Sequence, residues 1–163
     1  MKKFFLVLAA IFCVASASAQ KWAVGGRVGS GLQAVGEYQY AEKAYVEARF
    51  GMQWVAGLAA DFTALHNWNV CKMDWTPSAG KWYFDAGVGV NVGGVPNVAY
   101  VGVAGMAKLG FQFNKLPLKL ALDFTPSFGP IIGYARVENV SFTTAGFFTR
   151  GICNLGISAV YCF

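Results

Sequence analysis

Along most of the chain, apolar side chains alternate with polar or small ones at a period of two, which marks extended strands and not helices. The clearest run is 82–92, where Trp82, Phe84, Ala86, Val88, Val90 and Val92 interleave with Tyr83, Asp85, Gly87, Gly89 and Asn91. The same alternation predicts strands over 22–28, 32–40, 44–54, 101–113, 118–128 and 150–163. An eighth strand, 65–75, has mixed faces: Cys71, Met73 and Trp75 fall on one parity, Trp68 and Val70 on the other, which predicts a bulge or a late start. Pro126 is expected near a strand rim, where a missing amide proton costs little. Tight turns are expected near Ser30-Gly31, at Glu42-Lys43, over 76–81 and over 114–117, with longer links over 56–64, 93–99 and 130–146. Those longer links are unusually apolar, which suits an adhesive rim or further lengths of strand.

The first twenty residues follow a different pattern. Lys2 and Lys3 precede the apolar run 4–15, and Ala17-Ser18-Ala19 then offers a small-residue cleavage site. At about 1.5 Å per residue, such a run falls well short of the ~30 Å hydrocarbon core. The expected organisation is therefore a signal peptide over 1–19, cut after Ala19, and a single domain over 20–163. Removing the leader, with Cys13, leaves 144 residues carrying 11 basic and 8 acidic side chains, a net charge of +3. That excess is too small and too scattered to suggest nucleic acid as a partner.

Composition then selects the kind of domain. The chain is 56% apolar and only 13% charged, against about 25% charged in ordinary soluble domains. A membrane location follows, yet no stretch beyond the leader reaches the length of uninterrupted apolar residues that a spanning helix needs. Lipid admits one other spanning solution, a closed β-barrel with every backbone group paired. Eight strands could also make a soluble barrel with the apolar parity inward, but its wetted face would then be Gly, Ala, Ser, Asn and Gln with few charges. Turned inward, the polar parity places Arg27, Glu37, Glu47, Arg49, Asp85, Lys108, Lys119, Asp123 and Arg150 in a narrow lumen, with Lys72 and Asp74 as further members. Such a near-balanced set can pair, offsetting its desolvation.

Aromatic residues fall at the strand ends. Trp22, Tyr40, Trp75, Trp82, Phe113 and Phe163 are expected at the short-turn end, and Trp54, Trp68, Tyr100, Phe128 and Phe147 at the other, as two interfacial girdles. The fold expected from these features is all-β: an eight-stranded antiparallel up-and-down transmembrane barrel preceded by a cleaved signal peptide.

With these features the whole mature chain resembles the small eight-stranded outer-membrane barrels of the OmpX and OmpA transmembrane-domain type, often described as porin-family proteins. Its most specific match is the end of the chain, 155–163, which is similar to the terminal-strand signal carrying a final Phe163 and an aromatic Tyr161 two residues earlier. The resemblance implies a Gram-negative outer-membrane location at the cell surface, outer-membrane lipid and the barrel-assembly machinery as partners, and room for a surface ligand at the outer loops.

Little in the sequence points to catalysis, and no cofactor or metal is expected. The single histidine, His66, is expected near the outer end of the fourth strand; Ser30, Ser127 or Ser141 could approach it, but no local spacing orients such a pair. Cys71, Cys153 and Cys162 are an odd number in an oxidising compartment, and Cys153 and Cys162 would lie roughly 30 Å apart along one strand at ~3.3 Å per residue. Cys71 and Cys153 read as small lipid-facing hydrophobes. The glycines over 25–31 and 87–94 alternate along strands with no helix following, so they read as sites of close backbone packing and not as phosphate loops. The favoured reading is a non-catalytic structural or surface-interaction barrel with a plugged lumen. Its alternatives are a narrow channel for small or hydrophobic solutes, as in OmpW-like barrels, and a lipid A-modifying enzyme.

Overall fold

A computed structural model describes residues 21–54, 58–137, 140–150 and 154–163. The expected leader, its cut after Ala19 and Cys153 lie outside the described residues. Ten β-segments run β1 (Trp22–Val28), β2 (Gly31–Ala41), β3 (Ala44–Trp54), β4 (Leu58–Met73), β5 (Gly80–Val95), β6 (Val98–Phe113), β7 (Leu118–Phe124), β8 (Ser127–Val137), β9 (Val140–Arg150) and β10 (Leu155–Cys162). Among the described residues there is no helix.

The ten segments form eight walls. β6 pairs with β7 through Ala107↔Phe124 and with β8 through Ala104↔Ser127, one continuous register, so β7 and β8 are a single wall interrupted at Thr125-Pro126. β9 pairs with β8, and β10 with β7, completing the last wall. All neighbours are antiparallel, and β1 pairs with both β2 and β10, so the sheet closes into a barrel. Closure satisfies edges that an open sheet would expose.

Several boundaries differ from those expected. The link expected over 56–64 is largely the first half of β4, which starts at Leu58. The link over 93–99 is strand except for a two-residue turn, Pro96-Asn97. Pro96 fixes its own φ, and Asn97 takes the left-handed conformation at φ 69°, which asparagine tolerates. The link over 130–146 is the hairpin β8–β9. Pro126 lies within a wall and not at its rim; its carbonyl accepts from the Gly105 amide at 2.9 Å, so only the donor side of the ladder is lost. Across the sheet from it, the Phe124↔Leu155 and Ser127↔Arg150 pairs belong to registers offset by two residues.

β4 explains its own mixed pattern. Its ladder to β5 slips between Asn69 and Cys71, leaving Val70 as the extra residue. Alternation before the slip puts Phe62, His66 and Trp68 outside; after it, the phase reverses and Lys72 pairs with inward Tyr83. A bulge of this kind makes both parities look apolar when read as one strand.

Candidate functional site

The lumen is filled by charged and amide side chains supplied by every wall. Arg27 on β1 is 1% exposed and donates through Nε to Asp123 of β7 at 2.8 and 3.0 Å, with further bonds to Gln33 and Asn154. Arg49 on β3 donates to Glu47 at 2.5 Å, to Asp123 at 3.3 Å and to Thr125 at 3.0 Å. Asp123 therefore serves two guanidinium groups. Lys108 on β6 reaches across to Glu37 at 3.0 Å and Glu47 at 2.6 Å, its ammonium 5.3 Å from the Tyr45 ring centre. Asn67 donates to the second Glu47 oxygen at 2.9 Å.

These groups lie where alternation puts the polar parity of each strand. Glycine makes the space for the largest of them: a methyl group on Gly156 would collide with the Arg27 guanidinium, and one on Gly110 with the Tyr83 ring. Each glycine thus takes a position whose volume a neighbouring wall has claimed, the close approach that strand glycines permit.

The structure brings together eight of the nine lumen residues named from the sequence. Lys119 joins at 3.4 Å from Glu37 with its side chain 23% exposed. Asp85 accepts from Tyr45 at 2.8 Å and Asn69 at 2.7 Å, so its hydrogen-bond partners are neutral although Lys108 lies opposite it on the ladder. Arg150 ends β9, and its side chain lies outside the described residues. One acid was missed. Asp61, read as loop, is 1% exposed and accepts from Gln33 at 2.9 Å, Gln53 at 3.2 Å, Thr63 at 3.0 Å and Tyr100 at 2.7 Å. Continuing the parity of Asn67 backwards by twos through Leu65 and Thr63 reaches it.

The two ends of the lumen differ. Beyond Asp61, the Tyr100 and Phe148 rings meet at a tilt of 56° with centres 5.0 Å apart and pack with Ala59, Val95 and Ile131. Tyr100 is thus an inward residue and not a girdle member, because its parity on β6 is that of Lys108. The end expected to hold the short turns, where Glu42-Lys43 lies and the observed turns run to six residues over 74–79, opens into a cavity of about 360 Å³, bordered by the outer layer of the ionic network.

On the outer wall, Trp22, Tyr40, Trp54, Trp68, Trp75 and Phe128 are exposed. Trp82 and Phe113 belong to a run of ring contacts from Trp75 through Trp82 and Phe111 to Phe113, with centres 5.7, 5.1 and 4.9 Å apart. Tyr161 and Phe163 meet at 5.1 Å. Trp68 is paired with Ala44 and Ala86, which places it toward the short-turn end and not the loop end expected for it.

His66 moves with Trp68. It faces outward between Tyr40, whose hydroxyl meets Nε2, and the Trp68 ring at 4.4 Å. Ser30 is engaged by Gln53 and Asn154, and Ser127 is 2% exposed in the lumen, so a wall separates both from the imidazole. The Ser141 side chain lies outside the described residues. Cys71 is exposed and Cys162 half-buried, and both are free thiols.

In comparisons with known proteins, no family model, no curated protein and no solved structure matches the chain.

Proposed function

We propose that the chain is an integral outer-membrane β-barrel, exported through its leader, with a structural or surface-interaction role and a lumen closed to solute. The supporting observation is the inversion of the barrel. Arg27, Arg49, Lys108, Glu47, Asp61 and Asp123 are nearly or wholly buried, while Phe50, Val88, Val90, Leu122 and Ile157 are each more than half exposed on the outer wall. Proteins in water rarely expose large contiguous apolar patches, and here such side chains recur on the outer wall strand after strand. Lipid is the medium that suits it, and the barrel-assembly machinery is the partner proposed for the strand that carries Tyr161 and Phe163.

The closed-lumen reading rests on the Arg27–Asp123–Arg49–Glu47–Lys108 chain, which crosses the interior with bonds of 2.5 to 3.3 Å. A non-catalytic role is part of the same proposal; it is supported by His66 lying on the outer wall between Tyr40 and Trp68, with Ser30 and Ser127 across the wall from it. Surface partners would be met at the β4 start and the β8–β9 hairpin.

Expression of the full chain in a Gram-negative host tests the reading. The expected product begins at Gln20, remains in the outer-membrane fraction after alkaline washing, and gives no unitary conductance steps in a planar bilayer. A processed chain that stays dissolved without detergent overturns the membrane assignment. Regular conductance steps overturn the closed lumen.

A further inference from the structure

The lysines are segregated. Apart from Lys108, which is consumed by the lumen network, every lysine after the leader lies at the short-turn end: Lys21, Lys43, Lys72, Lys81, Lys115 and Lys119. Parity turns three of them inward, and two more lie at the adjoining strand ends. Lys81 alternates with buried Tyr83 and Lys119 with buried Ala121, and Lys72 pairs with Tyr83 across the ladder, while Lys21 immediately precedes β1 and Lys43 lies in the β2–β3 turn. All five line the 360 Å³ mouth cavity, and Lys115 does not. They share one concavity at the barrel mouth, whereas lysines serving bilayer headgroups would be spread around the girdle.

Most of that charge is uncompensated. Lys119 has Glu37, but Lys21, Lys43, Lys72 and Lys81 make no ion pair among the described residues. Of the three acids bordering the cavity, Glu37 is taken by Lys108 and Lys119, and Asp85 by Tyr45 and Asn69, leaving Glu42. Four unpaired ammonium groups around one concavity repel one another, and that repulsion is relieved by an anion seated among them. The volume lies near the lower bound of small-molecule sites, about 300 to 1,000 Å³, which suits a compact ligand and not a polymer. Stem methylenes give lysine the reach to close on phosphate oxygens as point charges.

We infer that the short-turn mouth is a binding site for a soluble, multiply charged phosphate-bearing anion, held by Lys21, Lys43, Lys72, Lys81 and Lys119. The site is a property of the barrel mouth and goes beyond the proposed membrane role; it would survive a failure of that reading.

Inorganic pyrophosphate is the probe, titrated calorimetrically into the folded full-length mature chain in a neutral detergent at low salt. The expected result is saturable one-site binding that weakens as salt rises. The double variant K43Q/K81Q is expected to bind about tenfold more weakly, K43R/K81R to retain binding, and K115Q to match the wild type. In a parallel arm, bilayers of phosphatidylcholine with and without phosphatidylglycerol are compared for their effect on pyrophosphate affinity. Absence of saturable binding overturns the inference, as does an equal loss in K115Q, which would mark diffuse surface charge. So does engagement of phosphatidylglycerol by the five lysines with no response to pyrophosphate. Both lysine changes are at exposed positions, and a preserved β-type circular dichroism spectrum checks that the barrel is intact.

Discussion

Two faces of the same wall, separated by one residue, live by different rules. In β5, Val90 is 53% exposed on the outer wall while Asn91 is 2% exposed in the lumen; in β7, Leu122 and Asp123 repeat the contrast. The backbone ladder is common to both faces, so strand geometry decides only which side a residue takes. What a residue costs there depends on its company. Outside, the relevant company is the surrounding medium, and inside it is one or two named partners, so substitution should be graded by medium on one face and by partnership on the other.

The largest test of this contrast is Asp123→Ala. It strips the carboxylate from both Arg27 and Arg49, and breaking a buried pair in this way costs about 3 to 5 kcal/mol. Urea unfolding of the barrel in lipid vesicles reads the loss; an equal loss from Leu122→Ala would erase the distinction between faces. Next comes Val90→Arg, expected to cost roughly 2 to 4 kcal/mol if the outer wall meets lipid near mid-depth, measured in the same vesicles. A neutral result would mean that this face is wet. A smaller effect is expected from Tyr100→Phe, which removes one hydrogen bond to Asp61 while Gln33, Gln53 and Thr63 still donate to it. About 1.5 kcal/mol is the expected loss, by the same unfolding measurement. Smallest is Asn91→Ala, within about 1 kcal/mol of the wild type, because neither end of the buried amide finds a partner among the described residues. A large loss there would reveal a bond to water or to a residue outside those described.

The contrast also explains which parts of the molecule were legible in the chain. Where one parity is polar and the other apolar, as in β3, β5 and β7, strand, face and lumen residue all follow from period two. Where both parities are apolar the pattern is silent. Residues 56–64 and 130–146 therefore read as loops, although β4, β8 and β9 run through them. Asp61 was lost with the first of these stretches. His66 and Trp68 were assigned to the wrong end because β4 was begun seven residues late, at Leu65 and not Leu58. Tyr100 was placed with the girdles by residue type when its parity with Lys108 already pointed inward. The lysine-lined mouth was invisible for a different cause: its members are spread over the chain from Lys21 to Lys119, and only closure of the sheet gathers them.

Closure has a further consequence, for the order of assembly. Every other junction in the barrel joins segments near one another in the chain, whereas the β1–β10 seam brings Ala23 to Cys162, 139 positions away. Hairpins can zip early, but this seam carries the highest loop-entropy cost and so forms late. Until then a curled ribbon would present two raw margins and an uncovered charged trough to its surroundings. The ions most buried in the finished protein are thus left uncovered until this seam forms.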